Sequence, residues 1–206
     1  VKSYETKFEG RLRYISEPDR GIYDAFNKGV RMSTGKYVWI VNSDDYIEPN
    51  ALEELATITT KYSKEDAPVI SAAMNFITET QSRVLKSSAE KVDYAYNTDT
   101  MGITHPATLV PKMTYETVGY YDDQYKIIGD IDWFHRAYGL KVSMLFIDNI
   151  ITNMVCGGIS TQYNFKKSYR DRKHYLEKHR KNFLVRYISL IRWTIRFYIK
   201  KRKATA

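Results

Sequence analysis

The sequence predicts an α/β fold, with a mostly parallel sheet flanked by helices and an amphipathic helical tail at the C-terminus. Three observations predict it. Tyr37-Val38-Trp39-Ile40-Val41 is apolar without alternation and rich in β-branched and aromatic residues, the habit of a strand buried on both faces of a parallel sheet. Segments of helical period recur between such runs. From Lys166 to Lys203 the pattern becomes one continuous helical signal.

The elements follow in chain order. Val1 to Phe8 read as the end of a helix already under way. Tyr23 to Ser33 read as a short helix with Tyr23, Phe26 and Val30 on one face, bracketed by Gly21 and Thr34-Gly35. Strand Tyr37 to Val41 ends in the Asp44-Asp45 turn. Pro49 starts a helix that carries Leu52, Leu55 and Ile58 inward. Pro68 to Thr78 read as a second buried strand and Arg83 to Lys86 as an edge strand. Ser87 to Met101, polar and weakly periodic, reads as a loop over the active face. Ile103 to Val110 form a strand broken by Pro106, which suits an edge or bulge. Pro111 begins a helix through Val118, a turn follows at Gly119 to Asp123, a helix spans Asp130 to Tyr138, and a strand runs from Lys141 to Ile147.

At 206 residues the chain has the length of one ordinary domain with a substantial core. Its single cysteine, Cys156, excludes an internal disulfide framework, fits a reducing compartment and reads as a small buried hydrophobe. The net charge of +8 is unevenly placed. Residues 1–165 carry 17 Lys and Arg against 22 Asp and Glu, whereas residues 166–206 carry 15 against two. The boundary divides an acidic body, 1–165, from a basic tail, 166–206. An acidic body argues against a nucleic-acid module, which needs basic and aromatic residues interleaved on its surface.

Between Phe183 and Ile199 the apolar residues occupy a wide arc. Arg186, Ser189, Arg192, Arg196 and Lys200 share the remaining arc of roughly 120°. Internal arginines, each costing about 2.5–3.5 kcal/mol at a bilayer centre, argue against a spanning helix. The pattern predicts a helix lying on an anionic membrane surface, with docking on protein as the alternative.

The chemistry concentrates where the first strand ends. In open α/β sheets ligands bind beyond the carboxyl ends of strands. Paired acids there suit a hard divalent cation that shares its oxygen ligands with phosphates; the bland alternative is a polar turn. Upstream stands Ser16-Glu17-Pro18-Asp19-Arg20-Gly21-Ile22-Tyr23-Asp24-Ala25-Phe26-Asn27-Lys28-Gly29. Downstream stand Thr104-His105-Pro106-Ala107-Thr108, Gly129-Asp130-Ile131-Asp132-Trp133 and Gly157-Gly158-Ile159-Ser160.

In this order the segments resemble the family 2 glycosyltransferases of GT-A fold, a Rossmann-like nucleotide-diphospho-sugar transferase architecture. The likeness is strongest to the bacterial branch reading S-E-P-D-x-G-I-Y-D-A-x-N-K-G, then N-S-D-D, H-x-A-T, (E/S)-D-x-D-(L/F/W) and G-G-(V/I)-S. It implies transfer of a sugar, with inversion, from a nucleotide-diphosphate donor (a UDP-sugar first) to a glycan or lipid-linked acceptor, assisted by Mg²⁺ or Mn²⁺, in surface polysaccharide or glycolipid synthesis. Asn42-Ser43-Asp44 occupies the place of the family's D-x-D, which implies Asp44 as metal ligand. Asn42 lacks charge and falls to the donor side, at the ribose. Asp130 matches the catalytic base, with helix capping as its structural alternative. Asp19 and Arg20 go to the nucleotide, because guanidinium groups and helix N-termini suit phosphate. Asp45 goes to the donor sugar, with the acceptor as alternative; His105 to the acceptor or the diphosphate; Asp132 to the acceptor or a supporting contact behind it; and Trp133 to the acceptor by stacking on a sugar ring, with a core role as its structural alternative.

Family members open with a strand and a D-G-S loop that holds the nucleotide base. Neither precedes Ser16, so the resemblance implies a chain lacking its first βα unit, about 30 residues or more. The expected location is cytoplasmic, peripheral on the inner face of the cell membrane. The competing expectation is a catalytically inactive fragment that binds only membrane or a partner.

Overall fold

The computed structural model describes residues 1–157, 164–180 and 182–204, with side chains through residue 199. Its sheet is built around β3 (Val69–Ile77), the run read from the sequence as a buried strand. Three short strands and one long one complete the sheet: β1 (Tyr37–Trp39), β2 (Tyr46–Ile47), β5 (Thr108–Pro111) and β6 (Met144–Val155), in the order β1-β5-β3-β6-β2. The edge strand β4 (Ser82–Leu85) pairs with the second half of β3, beyond the point where β5 leaves it.

The sheet is partly parallel. Among the described residues parallel register is confined to β3 with β6, and the other pairings are antiparallel. A continuous apolar run reports burial on both faces. Strand direction does not enter, and an antiparallel strand between two layers buries both faces equally.

Two layers cover the sheet. One is formed by α1 (Ile22–Met32), α3 (Ala89–Thr98), α4 (Lys112–Val118), α5 (Gly129–Gly139) and α6 (Phe165–His179). These contribute Tyr23, Val30, Val92, Tyr115, Trp133, Phe134, Tyr175 and Leu176 to one core cluster. On the other face α2 (Ala51–Thr59) sets Ala51 and Leu55 against Ile70, Met74, Leu109 and Ile151. Ala51, Leu55 and Ile58 form the inward stripe of α2, which leaves Leu52, expected inside, 63% exposed.

Residues 87–101 are largely helical rather than a loop. Ser88 caps α3 by accepting from the Lys91 amide at 3.3 Å, and Asp99 ends it in the left-handed region at φ +56°. Only Val92 and Ala95 of α3 are buried, so its apolar period is faint. Val1 to Phe8 form two 3₁₀ turns, Lys2–Tyr4 and Thr6–Phe8, not a helix end. Cys156 is exposed, because it follows the last residue of β6 rather than continuing the apolar run.

The segment read as a basic tail begins inside the body. Asp171 of α6 accepts the Lys126 and Ile127 amides at 2.7 Å each, and Arg180 and Arg172 pair with Asp99. The final helix, α7 (Phe183–Ala204), packs Trp193 and Phe197 against Phe165 of α6. Its opposite side leaves Leu184, Tyr187, Ile188, Ile191 and Ile195 exposed. No described helix is long and apolar enough to cross a membrane. The Gly157-to-Ser160 motif lies outside the described residues beyond Gly157.

Candidate active site

Beyond β1 the chain turns through Asn42-Ser43-Asp44-Asp45 before β2. The Asp45 amide donates to the Asn42 carbonyl at 3.1 Å, and the Asn42 side-chain amide donates to Asp45 Oδ2 at 3.0 Å. Asp45 Oδ1 accepts from the Val155 amide at 3.2 Å. The turn therefore spends the Asp45 carboxylate on its own shape and on β6. Burial pushes that carboxyl above the usual range, against the pull of these donors. Asp44 points into solvent and accepts no hydrogen bond from another described residue.

The opposite wall is the first turn of α5 and the inner face of α1. Together they enclose a cleft of about 940 Å³ whose lining includes Asn42, Asp44, Asp45, Tyr23, His105, Lys126 and Asp130. Asp130 does not cap α5. The N-cap is Ile128, and Asp130 sits inside the first turn with Oδ1 accepting from the Ile131 amide at 2.9 Å. Tyr23 Oη lies 3.2 Å from the same oxygen. Burial raises the Asp130 carboxyl above its ordinary value, opposed by His105, the Ile131 amide and Tyr23. A carboxylate held up in this way is a better proton acceptor near neutrality than a solvated one.

His105 occupies a 3₁₀ turn, His105–Ala107, among Phe26 and Phe134, with Nε2 3.3 Å from Tyr121 Oη. Burial lowers its pKa while the carboxylates of Asp130 and Asp45 oppose the shift, so the imidazole is neutral near pH 7.

Asn42, Asp44, Asp45, His105 and Asp130 are thus brought to one cleft, and four other expected site residues are not. Trp133 is fully buried, its indole donating to the Gly119 carbonyl at 2.7 Å and packed on Tyr115, so no ring face is open to a sugar. Asp132 is equally buried, bound to Arg136, Lys178 and His179 at 2.8–3.0 Å. Burial would raise its pKa, but the His179 hydrogen bond and the charges of Arg136 and Lys178 hold the carboxyl well below the usual range. Helical periodicity explains Asp132, which follows Asp130 by two residues and turns away from the face it shares with the cleft; Trp133, three residues on, stays near that face and is closed off by Tyr115, Tyr121 and Phe134. Arg20 is tied to Asp123 at 2.5 Å and Asp24 at 3.4 Å, and Asp19 to Lys28 at 2.7 Å; neither lines the cleft. In their place Lys126 and Tyr23 line it. Lys126 lies in an unmotived loop and gives no local sequence signal, whereas Tyr23 is legible only as an inward residue of α1.

Among the described residues no three His, Cys, Asp or Glu side chains converge to hold a metal. The donor set still fits one kind of ion. A carboxylate that is free among the described residues and lines a cleft suits Mg²⁺ or Mn²⁺, which keep waters and take phosphate oxygens for most of their shell.

Comparison with known proteins accords with the fold. An S. aureus TarS structure in complex with UDP-GlcNAc superposes with a TM-score of 0.61 at 14% identity, covering 85% of this chain and 53% of that one. A glycosyltransferase of Rickettsia prowazekii is 23% identical over 146 residues, 68% of this chain and 45% of the relative. A PGL/p-HBAD biosynthesis glycosyltransferase of Mycobacterium bovis is 25% identical over 136 residues, 62% of this chain and 48% of the relative. The chain thus spans about half the length of these curated relatives. The description Glycosyl transferase family 2 matches residues 1–202, nearly the whole chain, and the chain belongs to that family.

Proposed function

We propose that the native protein transfers a sugar from a UDP-sugar to a glycan or lipid-linked acceptor, with inversion, in surface polysaccharide or glycolipid synthesis. One observation carries the reading: Asp44 and Asp130, far apart in sequence, line the same cleft. Such a cleft can hold a diphosphate at one end and an acceptor hydroxyl at the other. TarS, similar in fold, binds UDP-GlcNAc, which supports a UDP-sugar as donor.

Each role follows from placement. The Asp130 carboxylate takes the proton from the acceptor hydroxyl as that oxygen attacks the anomeric carbon, and its position on a rigid first turn of α5 fixes the line of attack. Asp44 would hold Mg²⁺ or Mn²⁺, which when bound neutralises charge on the departing diphosphate. Asn42 and Asp45 brace one another and shape the donor end. Neutral His105, beside Asp130 and Asp45, offers a ring nitrogen to the substrate between them. An inert fragment is the weaker reading, since it gives no reason for this convergence.

The metal role is checked by calorimetry of UDP with Mn²⁺ in the protein. Asp44→Ala is expected to weaken binding at least tenfold in Mn²⁺ and to leave the residual metal-free affinity unchanged. Equal affinity for both proteins in Mn²⁺ would remove Asp44 as ligand.

We also propose a peripheral position on the cytoplasmic face of the cell membrane, with α7 as the contact. The support is the exposed stripe Leu184, Tyr187, Ile188, Ile191 and Ile195, bordered by exposed Arg192 and Arg196. Charges near an anionic surface contribute about 1 kcal/mol each and fade beyond a Debye length. Co-sedimentation with phosphatidylserine vesicles should therefore fall at high salt and be lost in a Leu184→Ser, Ile188→Ser, Ile195→Ser triple variant. Unchanged sedimentation of the variant would assign the stripe to a protein contact.

A further inference from the structure

Gly129 stands where the resembled motif carries an acid or serine, and the structure gives a reason. A Cβ built on Gly129 would lie 2.8 Å from Cδ2 and Cε2 of Tyr23 and 2.9 Å from Cγ. Real Cβ atoms do not approach a ring so closely, so a side chain at 129 must move either the ring or the first turn of α5. The ring has little freedom to move. Tyr23 is 3% exposed, stacked on Tyr121 at 5.8 Å and met edge-on by Phe26 at 5.7 Å.

That close approach puts the Tyr23 hydroxyl between two acceptors. Oη lies 2.6 Å from the Ile127 carbonyl and 3.2 Å from Asp130 Oδ1. A phenol carries one hydrogen, so it serves one acceptor at a time. Burial and the nearby Asp130 charge raise the Tyr23 pKa well above 10, which keeps that hydrogen in place at any working pH. A neutral carboxyl leaves the hydrogen to the carbonyl. An ionised carboxylate is the stronger acceptor, because hydrogen bonds to charged groups are about twice as strong as neutral ones.

We propose that Tyr23 is the positioning residue for the Asp130 base, and that Gly129 is the gap its ring needs to reach that base. The hydroxyl turns toward Asp130 when the carboxylate forms and back toward Ile127 when it is neutralised. It thereby stabilises the form that accepts a proton and holds its Oδ1 against the Ile131 amide. Other groups facing Asp130 are His105 from the 3₁₀ turn and Tyr121 from the loop before α5. Neither approaches Oδ1 as Tyr23 does. The proposal rests on reading Asp130 as the base, but its test does not.

The test is a ¹³Cγ-aspartate NMR titration of this 206-residue chain, with the Asp130 resonance identified by its loss in Asp130→Asn. Tyr23→Phe keeps the ring and removes the hydrogen, so the Asp130 midpoint should rise by about one pH unit. Gly129→Ala should raise it in the same direction by displacing the hydroxyl. In the Y23F background Gly129→Ala should then add nothing, because no hydroxyl remains to displace. An unchanged midpoint in Tyr23→Phe would reduce Tyr23 to packing and overturn the proposal. An equal Gly129→Ala effect in both backgrounds would overturn the link through the hydroxyl. An Asp130→Asn enzyme that still transfers sugar would instead sink the base assignment and leave these midpoints standing.

Discussion

Asp130→Asn is expected to lower sugar transfer by about 10²–10⁴-fold while leaving UDP affinity within a factor of about two. The amide keeps the shape of the side chain and can still meet the Ile131 amide through its oxygen. What it loses is the ability to take a proton in the transition state. Because burial raises the Asp130 pKa, the fraction in the accepting form grows as pH rises through a higher midpoint than a solvated aspartate would have. The wild-type rate should therefore fall on the acid side above the usual carboxylate range, and that limb should vanish in the variant. Steady-state transfer assays across pH, paired with calorimetry of UDP, read both quantities. Turnover within a few-fold of wild type would leave Asp130 as a structural member of the α5 first turn.

Trp133→Ala is expected to destabilise the fold by about 3–5 kcal/mol, with no selective effect on acceptor binding. The indole is fully buried in the main core cluster between Tyr115, Tyr121 and Phe134, with ring centroids 4.9–5.8 Å away. Truncation empties a large volume and leaves the Gly119 carbonyl without its donor. Urea unfolding reads the effect as a lower midpoint. A loss below about 1 kcal/mol, accompanied by a raised acceptor KM, would return Trp133 to the sugar-binding role suggested by its motif.

Much of this molecule was legible where local chemistry is strong. The helix before Thr34-Gly35, the buried strand over 69–77 and the helix after Ile128 carry clear periods, and the structure has all three. Strand direction was not legible in the same way, because β1 reads as a parallel strand yet pairs antiparallel with β5. Pairing depends on which segments meet, and a strand's apolar content does not encode it. Helix α3 was hidden for a different reason: its stability comes from the Ser88 cap and contacts such as Tyr138 with Asp93 at 2.8 Å, not from an apolar stripe.

At the site, motif and geometry part company in an instructive way. Asp44 and Asp130 stand at the ends of secondary elements, where side chains escape the core, and both line the cleft. Asp132 and Trp133 belong to the same motif, but the helix turns Asp132 about 200° from Asp130, and Trp133, within about 60° of it, is covered by Tyr115, Tyr121 and Phe134. Arg20 has the right chemistry for phosphate and is instead neutralised by Asp123 and Asp24 across the surface. Tyr23 and Lys126 line the cleft only because of what the fold sets beside them, which neither local pattern encodes.

On the proposed reading, one cleft joins the Asp44 turn, where the donor diphosphate binds, to the Asp130 carboxylate, where the acceptor hydroxyl binds. Paramagnetic broadening by Mn²⁺ bound together with UDP, followed by NMR on the protein, tests this reading. The account predicts the strongest broadening at Ser43, Asp44 and Asp45, a weaker effect at His105 and Asp130, and none along α7. Broadening centred on another carboxylate group, such as Asp122 beside Lys178, with Asp44 unaffected, would contradict it.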